Sequence, residues 1–298
     1  MSSVASAAGT GMTGIAASDA LMLRAIRIDD AASCAELSRH VGWPHRREDW
    51  EFVIGLGHGL VAERNGELVA TGQWWPYGES HATVGMIIVA PEQQGAGIGK
   101  RLMQELLAQA GQRSLMLNAT VAGAPLYVRL GFRSWGGGVR QYHGHALVVA
   151  EPEPTLGKRL RPGSPADLAM LERLDREATG LERGPVLAAL LKCGECLVLE
   201  QAGQPIGFSI LRAFGRGQVV GPVVAADEMD ARTLIACWLH GRAGQFIRVD
   251  LPLGSGLGDW LVQHGLAPAG DVTAMVRGDL PVASGPARLH ALVTQALG

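Results

Sequence analysis

The sequence predicts an α/β protein made of two tandem copies of one fold, each a sheet flanked by helices. Three observations carry this reading. A short apolar run, Val84 to Ala90, feeds a glycine-rich turn, Gln94 to Gly99, and then an apolar helix from Leu102 to Ala110. Ahead of it, Leu60–Glu63 and Glu67–Gly72 flank Asn65-Gly66, the mark of a tight β-hairpin. Last, the pattern of the first half returns in the second. Leu60-Val61-Ala62-Glu63 corresponds to Leu197-Val198-Leu199-Glu200, a shift of 137, and Val84-Gly85 to Val220-Gly221, a shift of 136. Leu117-Asn118 corresponds to Val249-Asp250, and Gly131-Phe132 to Gly265-Leu266.

In chain order, residues 1–20 are mostly Ser, Ala, Gly and Thr, with no Lys or Arg before Arg24. They predict a disordered tail rather than a secretory signal, which starts basic and has a longer apolar stretch. The first copy is placed at 21–150 and the second at 151–298, joined near Glu151-Pro152-Glu153-Pro154, a linker by composition. At 298 residues the chain is long for one domain. With 47% apolar and 18% charged residues and net charge −2, it lacks the basic stripe of a nucleic-acid binder, and no apolar run reaches membrane-spanning length. Four scattered cysteines do not make a disulfide framework, so a cytoplasmic location is expected. Cys193-Gly194-Glu195-Cys196 leads straight into a strand and has no second ligand pair, so it reads as a turn with two incidental thiols, and no metal is expected.

The glycine turn is the chemical centre of the first copy. A strand entering such a turn at a helix start gathers free backbone N–H groups around one point, a phosphate cradle. A Walker loop is excluded: its first glycine falls on Gln94 and its Ser/Thr on Arg101. A dinucleotide fingerprint from Gly95 puts its third glycine on Lys100. What fits is Gln94-x-x-Gly97-x-Gly99 directly after a strand, followed by Leu126-Tyr127-x-x-x-Gly131-Phe132 after the next strand, Leu115–Thr120. With the upstream hairpin, these motifs resemble the GNAT superfamily of N-acetyltransferases from about Leu23 to His145.

That resemblance implies a mixed, mostly antiparallel sheet in each copy and acetyl-CoA as acyl donor, with acetyl a superfamily expectation. It places the CoA pyrophosphate on Gln94, Gly95, Ala96, Gly97, Ile98 and Gly99, and the pantetheine arm on the main chain of Ile87, Ile88 and Val89. The N–H of Ile87 becomes the oxyanion donor, a group typically worth about 3–4 kcal/mol of barrier. Tyr127 corresponds to the tyrosine that protonates the departing thiolate, or else packs beside Phe132 in the core. Asn118 is a candidate for pantetheine or substrate; Lys100 and Arg101 pair with CoA phosphates or are solvated. Several relatives carry a glutamate base where this chain has Thr83, so Glu79 and His81 just upstream are the candidate bases. Trp43 and His45, with Trp50 nearby, and Trp74-Trp75 either wall the acceptor pocket or belong to the core; aromatic walls would suit an alkylammonium or planar acceptor.

The second copy lacks the turn. Asp227 to Arg232 reads Asp-Glu-Met-Asp-Ala-Arg, with three carboxylates where a pyrophosphate would lie. One acyl-CoA site is therefore expected, the second copy packing on it, shaping the acceptor pocket or forming a homodimer. The expected activity is direct transfer of acetyl to the primary amine of a small molecule. Its rivals are acetylation of protein lysines or N-termini, and an acyl-CoA sensor without transfer.

Overall fold

A computed structural model describes residues 21–298; the tail expected at 1–20 lies outside the described residues. The first copy runs β1 (Met22–Ala25), α1 (Ala31–His40), α2 (Arg47–Ile54), β2 (His58–Arg64), β3 (Glu67–Tyr77), β4 (His81–Val89), α3 (Ile98–Ala110), β5 (Ser114–Ala119), α4 (Ala124–Arg129) and β6 (Arg133–His145). The second repeats that order: β7 (Lys158–Pro162), α5 (Leu168–Thr179), α6 (Gly184–Cys193), β8 (Gly194–Gln201), β9 (Gln204–Phe214), β10 (Gly217–Ala225), α7 (Glu228–Leu239), β11 (Phe246–Pro252), α8 (Gly258–Gln263) and β12 (Ala267–Arg277). A further strand, β13 (Arg288–Ala291), has no counterpart in the first copy.

The hairpin turns are built as the residues dictate. Asn65 and Gly66 both take positive φ (53° and 82°), the left-handed pair that a two-residue turn between twisted strands requires. Ala202 and Gly203 repeat this between β8 and β9.

The two copies do not keep separate sheets. All strands join one 13-stranded sheet in the order β1-β2-β3-β4-β5-β12-β6-β11-β10-β9-β8-β7, with β13 on β10. Each copy thus lends its last full strand to the other: β12 lies between β5 and β6, and β6 between β12 and β11. The core follows the exchange. Helices α1, α2, α5 and α6 share one buried cluster, in which Trp50 and Trp75 of the first copy join Leu171, Leu187 and Phe208 of the second. Helices α3 and α4 cover a second cluster that takes in Met275 of β12, and α7 and α8 a third that takes in Tyr142 of β6.

β4 contacts β5 in parallel for only three positions, His81 to Thr83 against Ser114 to Met116, and the strands then part. On its other side β4 pairs with β3 through a bulge: Met86 and Ile87 have no pairing residue, while Gly85 faces Gln73 and Ile88 faces Thr71. The bulge turns the strand over. Ala82 and Val84 pack under α3, whereas Met86 and Ile88, of the same parity, pack on the opposite face. Met86 has a φ of 54°, held by Thr71, whose hydroxyl donates to the Met86 carbonyl at 2.8 Å.

Candidate functional site

The parting of β4 from β5 opens the strand edge from Val84 onward, so its backbone groups face a groove instead of a neighbour. The groove has a volume of about 590 Å³ and runs from Gly85 through Ile87, Ile88 and Val89 to the glycine turn. There Gly95 and Gly97 take φ of 82° and 78°, and an added Cβ at either would meet nothing within 4 Å. The N–H groups of residues 95 to 100 make no hydrogen bond to any described residue; the first helical closure is Arg101 N–H to the Gly97 carbonyl at 3.1 Å. Open space over glycine, six unsatisfied donors and the positive end of a 13-residue helix together suit a phosphate group. Lys100 and Arg129 line the same groove, both without an ion pair among the described residues. Arg129 went unnoticed in the sequence because it stands inside the Leu-Tyr-x-x-x-Gly-Phe run.

Tyr127 lies on α4, buried, with its ring in edge contact with Phe132 at 6.0 Å and facing the groove. Burial pushes its hydroxyl up to about 12, so the proton stays on at neutral pH. Asn118 stands where the groove meets a second cavity, but its amide N–H is already given to the Gln295 carbonyl at 2.8 Å, leaving its oxygen for a ligand. Thr83 is buried, its hydroxyl donating to Tyr77 Oη at 3.1 Å; Tyr77 in turn donates to the Leu297 carbonyl at 2.6 Å. Thr83 itself carries no carboxylate to act as a base.

A second cavity, about 300 Å³, opens from the groove across Trp43, Val84, Gly85, Met86, Asn118 and Thr120, which line both. Its remaining wall comes largely from the second copy: Phe214, Gly215, Arg216, Phe246, Arg248 and the segment Thr294 to Ala296. The tip of the β9–β10 hairpin is docked onto the α1–α2 loop by Asp49. The Gly215 N–H donates to its Oδ2 at 2.9 Å, and Gly215 stands so close to Pro44 that a Cβ would approach the Pro44 carbonyl to 3.2 Å. Burial alone would raise Asp49, but hydrogen bonds from the Arg46 side chain and backbone and from Gly215 hold its carboxyl below the usual range.

Two imidazoles face this cavity. His45 packs edge-on to Phe214 at 5.3 Å, and burial, reinforced by Arg248, drives it down to about 4. His143, on β6, rests against Phe246 at 5.1 Å and is half-buried. Burial, then Arg216 and Arg248, lower it from the ordinary histidine value.

Not every sequence-chosen residue comes here. Glu79 sits exposed in the β3–β4 turn and His81 at the closed start of β4, paired to Tyr77 and Ser114. Six residues of strand put His81 about 20 Å from Ile87, and neither residue lines the groove or the cavity. Trp74 and Trp75 point to opposite faces of β3 and are both core. Trp75 is fully buried, its N–H donated to the Val53 carbonyl at 2.8 Å, while Trp74 stacks on His58 at 4.7 Å. Trp50 is likewise core, bonded to Ser38. Trp43 and His45 do line the second cavity. The repeat held the missing signal: a shift of 137 carries Glu79 onto Arg216, and it is the second copy's hairpin tip that reaches the first copy's site.

The corresponding place in the second copy is closed by the chain itself. β10 parts from β11 after Val220 as β4 parts from β5 after Thr83, but β13 enters the gap and pairs with Val223 to Ala225. At the start of α7, Asp227 accepts from the Asp230 N–H at 2.9 Å, Asp230 pairs with Lys158 at 2.7 Å and Glu228 with Arg232. Of the three acids at this helix start, Asp230 and Glu228 have cation partners and Asp227 caps the helix, while the strand gap is filled by β13. Cys193 ends α6 and Cys196 lies within β8; all four cysteines are free. Among the described residues no cluster of three or more His, Cys, Asp or Glu is arranged for a metal, and no helix is long and apolar enough to cross a membrane.

A parted strand pair, a glycine cradle at a helix start and an adjoining cavity are the features of an acetyltransferase. Residues 55–134 match a family described as Acetyltransferase (GNAT) domain, and residues 171–289 match another of the same description. The two spans together take in two thirds of the chain, which belongs to the GNAT acetyltransferases in both halves. It is 26% identical over 269 residues to the uncharacterised N-acetyltransferase YitH of Bacillus subtilis, covering 88% of this chain and 93% of that one. Among solved structures, a candidate acetyltransferase of Pyrococcus horikoshii aligns with a TM-score of 0.74 at 19% identity, covering 97% of this chain and 99% of the other. A tandem GNAT protein from the clavulanic acid biosynthesis pathway aligns with a TM-score of 0.62 at 13% identity over 87% and 99%. At such identities the two structures speak to fold, and the fold is shared.

Proposed function

We propose that this chain transfers acetyl from acetyl-CoA to the primary amine of a small molecule, with one donor site, in residues 21–150. The junction of the donor groove with a separate cavity at Gly85–Met86 carries this reading. The cavity is walled by both copies, which suits a small acceptor better than a peptide laid across an open surface, and gives residues 151–298 their role.

The residues fit the donor: unpaired N–H groups at 95 to 100 and open space over Gly95 and Gly97 would receive the pyrophosphate, and the free edge of β4 the pantetheine arm. Bound there, acetyl-CoA supplies an acyl thioester, so that a C–N bond forms as the C–S bond breaks. The bulge frees Ile87 from strand pairing, and its N–H is the donor assigned to the negative charge developing on the thioester oxygen. His143, held neutral, takes the proton that the amine nitrogen sheds as the C–N bond forms, and the Tyr127 hydroxyl gives one to the departing sulfur.

Calorimetry should give one acetyl-CoA per chain. Tyr127→Phe should leave that affinity intact and lower kcat, followed as thiol release, by roughly 100-fold or more. Two donors per chain, or undiminished turnover in the variant, would overturn the site and role assigned.

A further inference from the structure

The acceptor cavity is cationic, and no residue lining it is acidic. Arg248 is buried and balanced: its Nε and Nη2 donate to Asp250 at 2.9 and 2.7 Å, and the Gln141 amide oxygen, turned toward it, accepts at 3.0 Å. Asp49 serves two cations at once, Arg46 at 2.9 Å and Arg212 at 3.7 Å. Arg216 has no such partner. Exposed at the docked hairpin tip and lining the cavity, it makes no hydrogen bond or ion pair with any described residue. The local sum is therefore positive, and a polyamine entering here would meet like charge. The walls between which a ligand's skeleton would lie are Trp43, Phe214 and Phe246, and about 300 Å³ suits a molecule of amino-acid size.

We propose that the acceptor is a primary amine that also carries a carboxylate, which seats on the Arg216 guanidinium while the amine points to the Gly85–Met86 junction. This rests on the acetyltransferase reading and narrows its acceptor. A planar guanidinium with all its donors free matches a carboxylate through two parallel hydrogen bonds, and a single free cation balances a single negative charge. The same feature sets the alkylammonium acceptor aside: an aromatic box for a cation would not place Arg216 in its wall.

The test uses the full chain and four matched acceptors: an aromatic amino acid, its carboxamide, its decarboxylated amine and the corresponding aminoalkyl phosphonate. The amino acid should show the highest kcat/KM. Arg216→Ala should raise its KM by roughly 10- to 100-fold and collapse its advantage over the decarboxylated amine, while Arg216→Lys should recover part of it. Because Arg216 is exposed and unpartnered, melting temperature and acetyl-CoA affinity should stay unchanged in both variants. Equal use of all four, preference for the phosphonate or the bare amine, or use of none with acetyl-CoA bound would overturn the carboxylate assignment alone. Failure of the chain to bind acetyl-CoA would overturn the donor site and this inference together.

Discussion

The proton transfer proposed for His143 turns on that side chain's surroundings. His143 is flanked by Arg216 and Arg248 with only Asp250 in opposition, and burial adds to their effect, so its charged form is disfavoured. The sign follows: the imidazole is neutral and able to accept a proton at pH 7, and becomes charged only as pH falls through a value below the usual 6.5. The acid limb of kcat/KM should accordingly lie below pH 6.5, and His143→Gln should lower kcat by roughly 100-fold and remove that limb. A limb that persists in the variant would assign it to another group. His45, driven further down, serves poorly as a base but is well placed to keep a neutral wall beside Arg248. Neither histidine was legible in the sequence as a base. Their neighbours, Phe246, Arg248 and Arg216 of the hairpin tip, lie between 73 (His143 to Arg216) and 203 (His45 to Arg248) positions away in the chain, and no local spacing encodes that approach.

At the scale of the element, the glycine turn was legible because its constraint is local. Positive φ at Gly95 and Gly97 favours glycine at positions fixed by the strand before and the helix after. Gly97→Ala separates two consequences. The left-handed backbone should cost about 1 kcal/mol of stability in a denaturant melt. The methyl, projecting into the space above the loop, should weaken acetyl-CoA binding by roughly 10- to 100-fold by keeping phosphate oxygens from the N–H groups. If the variant binds as well as the parent, the phosphate does not lie there. The hairpins and the repeat were legible for the same local reason, whereas Trp74-Trp75 was not. Adjacent residues on a strand face opposite ways, and which faces are covered depends on α3 and α2, elements distant in sequence. Strand exchange was invisible too, since β6 and β12 have the same pattern whether they pair within their own copy or with the other.

That exchange decides how the whole molecule comes apart. Two tandem domains joined at residues 146–157 would unfold separately, with one transition each. Here the second copy cannot unfold alone without drawing β12 from between β5 and β6 and uncovering the cluster that Trp50 and Trp75 share with Leu171 and Phe208. The buried Arg183–Asp175 pair adds a further tie, because Arg183 also donates to the Gly298 carbonyl beside Thr83. The cost of leaving any of these half-made is large compared with the few kcal/mol that separate folded from unfolded chains. Calorimetry should therefore show one transition, with van't Hoff and calorimetric enthalpies equal and a heat-capacity step of about 4 kcal/mol/K for a chain of this length. A protease cut within residues 146–157 should leave both pieces eluting together at the mass of the intact chain. Resolved transitions, or pieces that separate without denaturant, would mean that the copies are independent. In that case the acceptor cavity, which exists only where the second copy's hairpin meets the first copy's loop, would be an encounter between mobile domains rather than part of a single folded body.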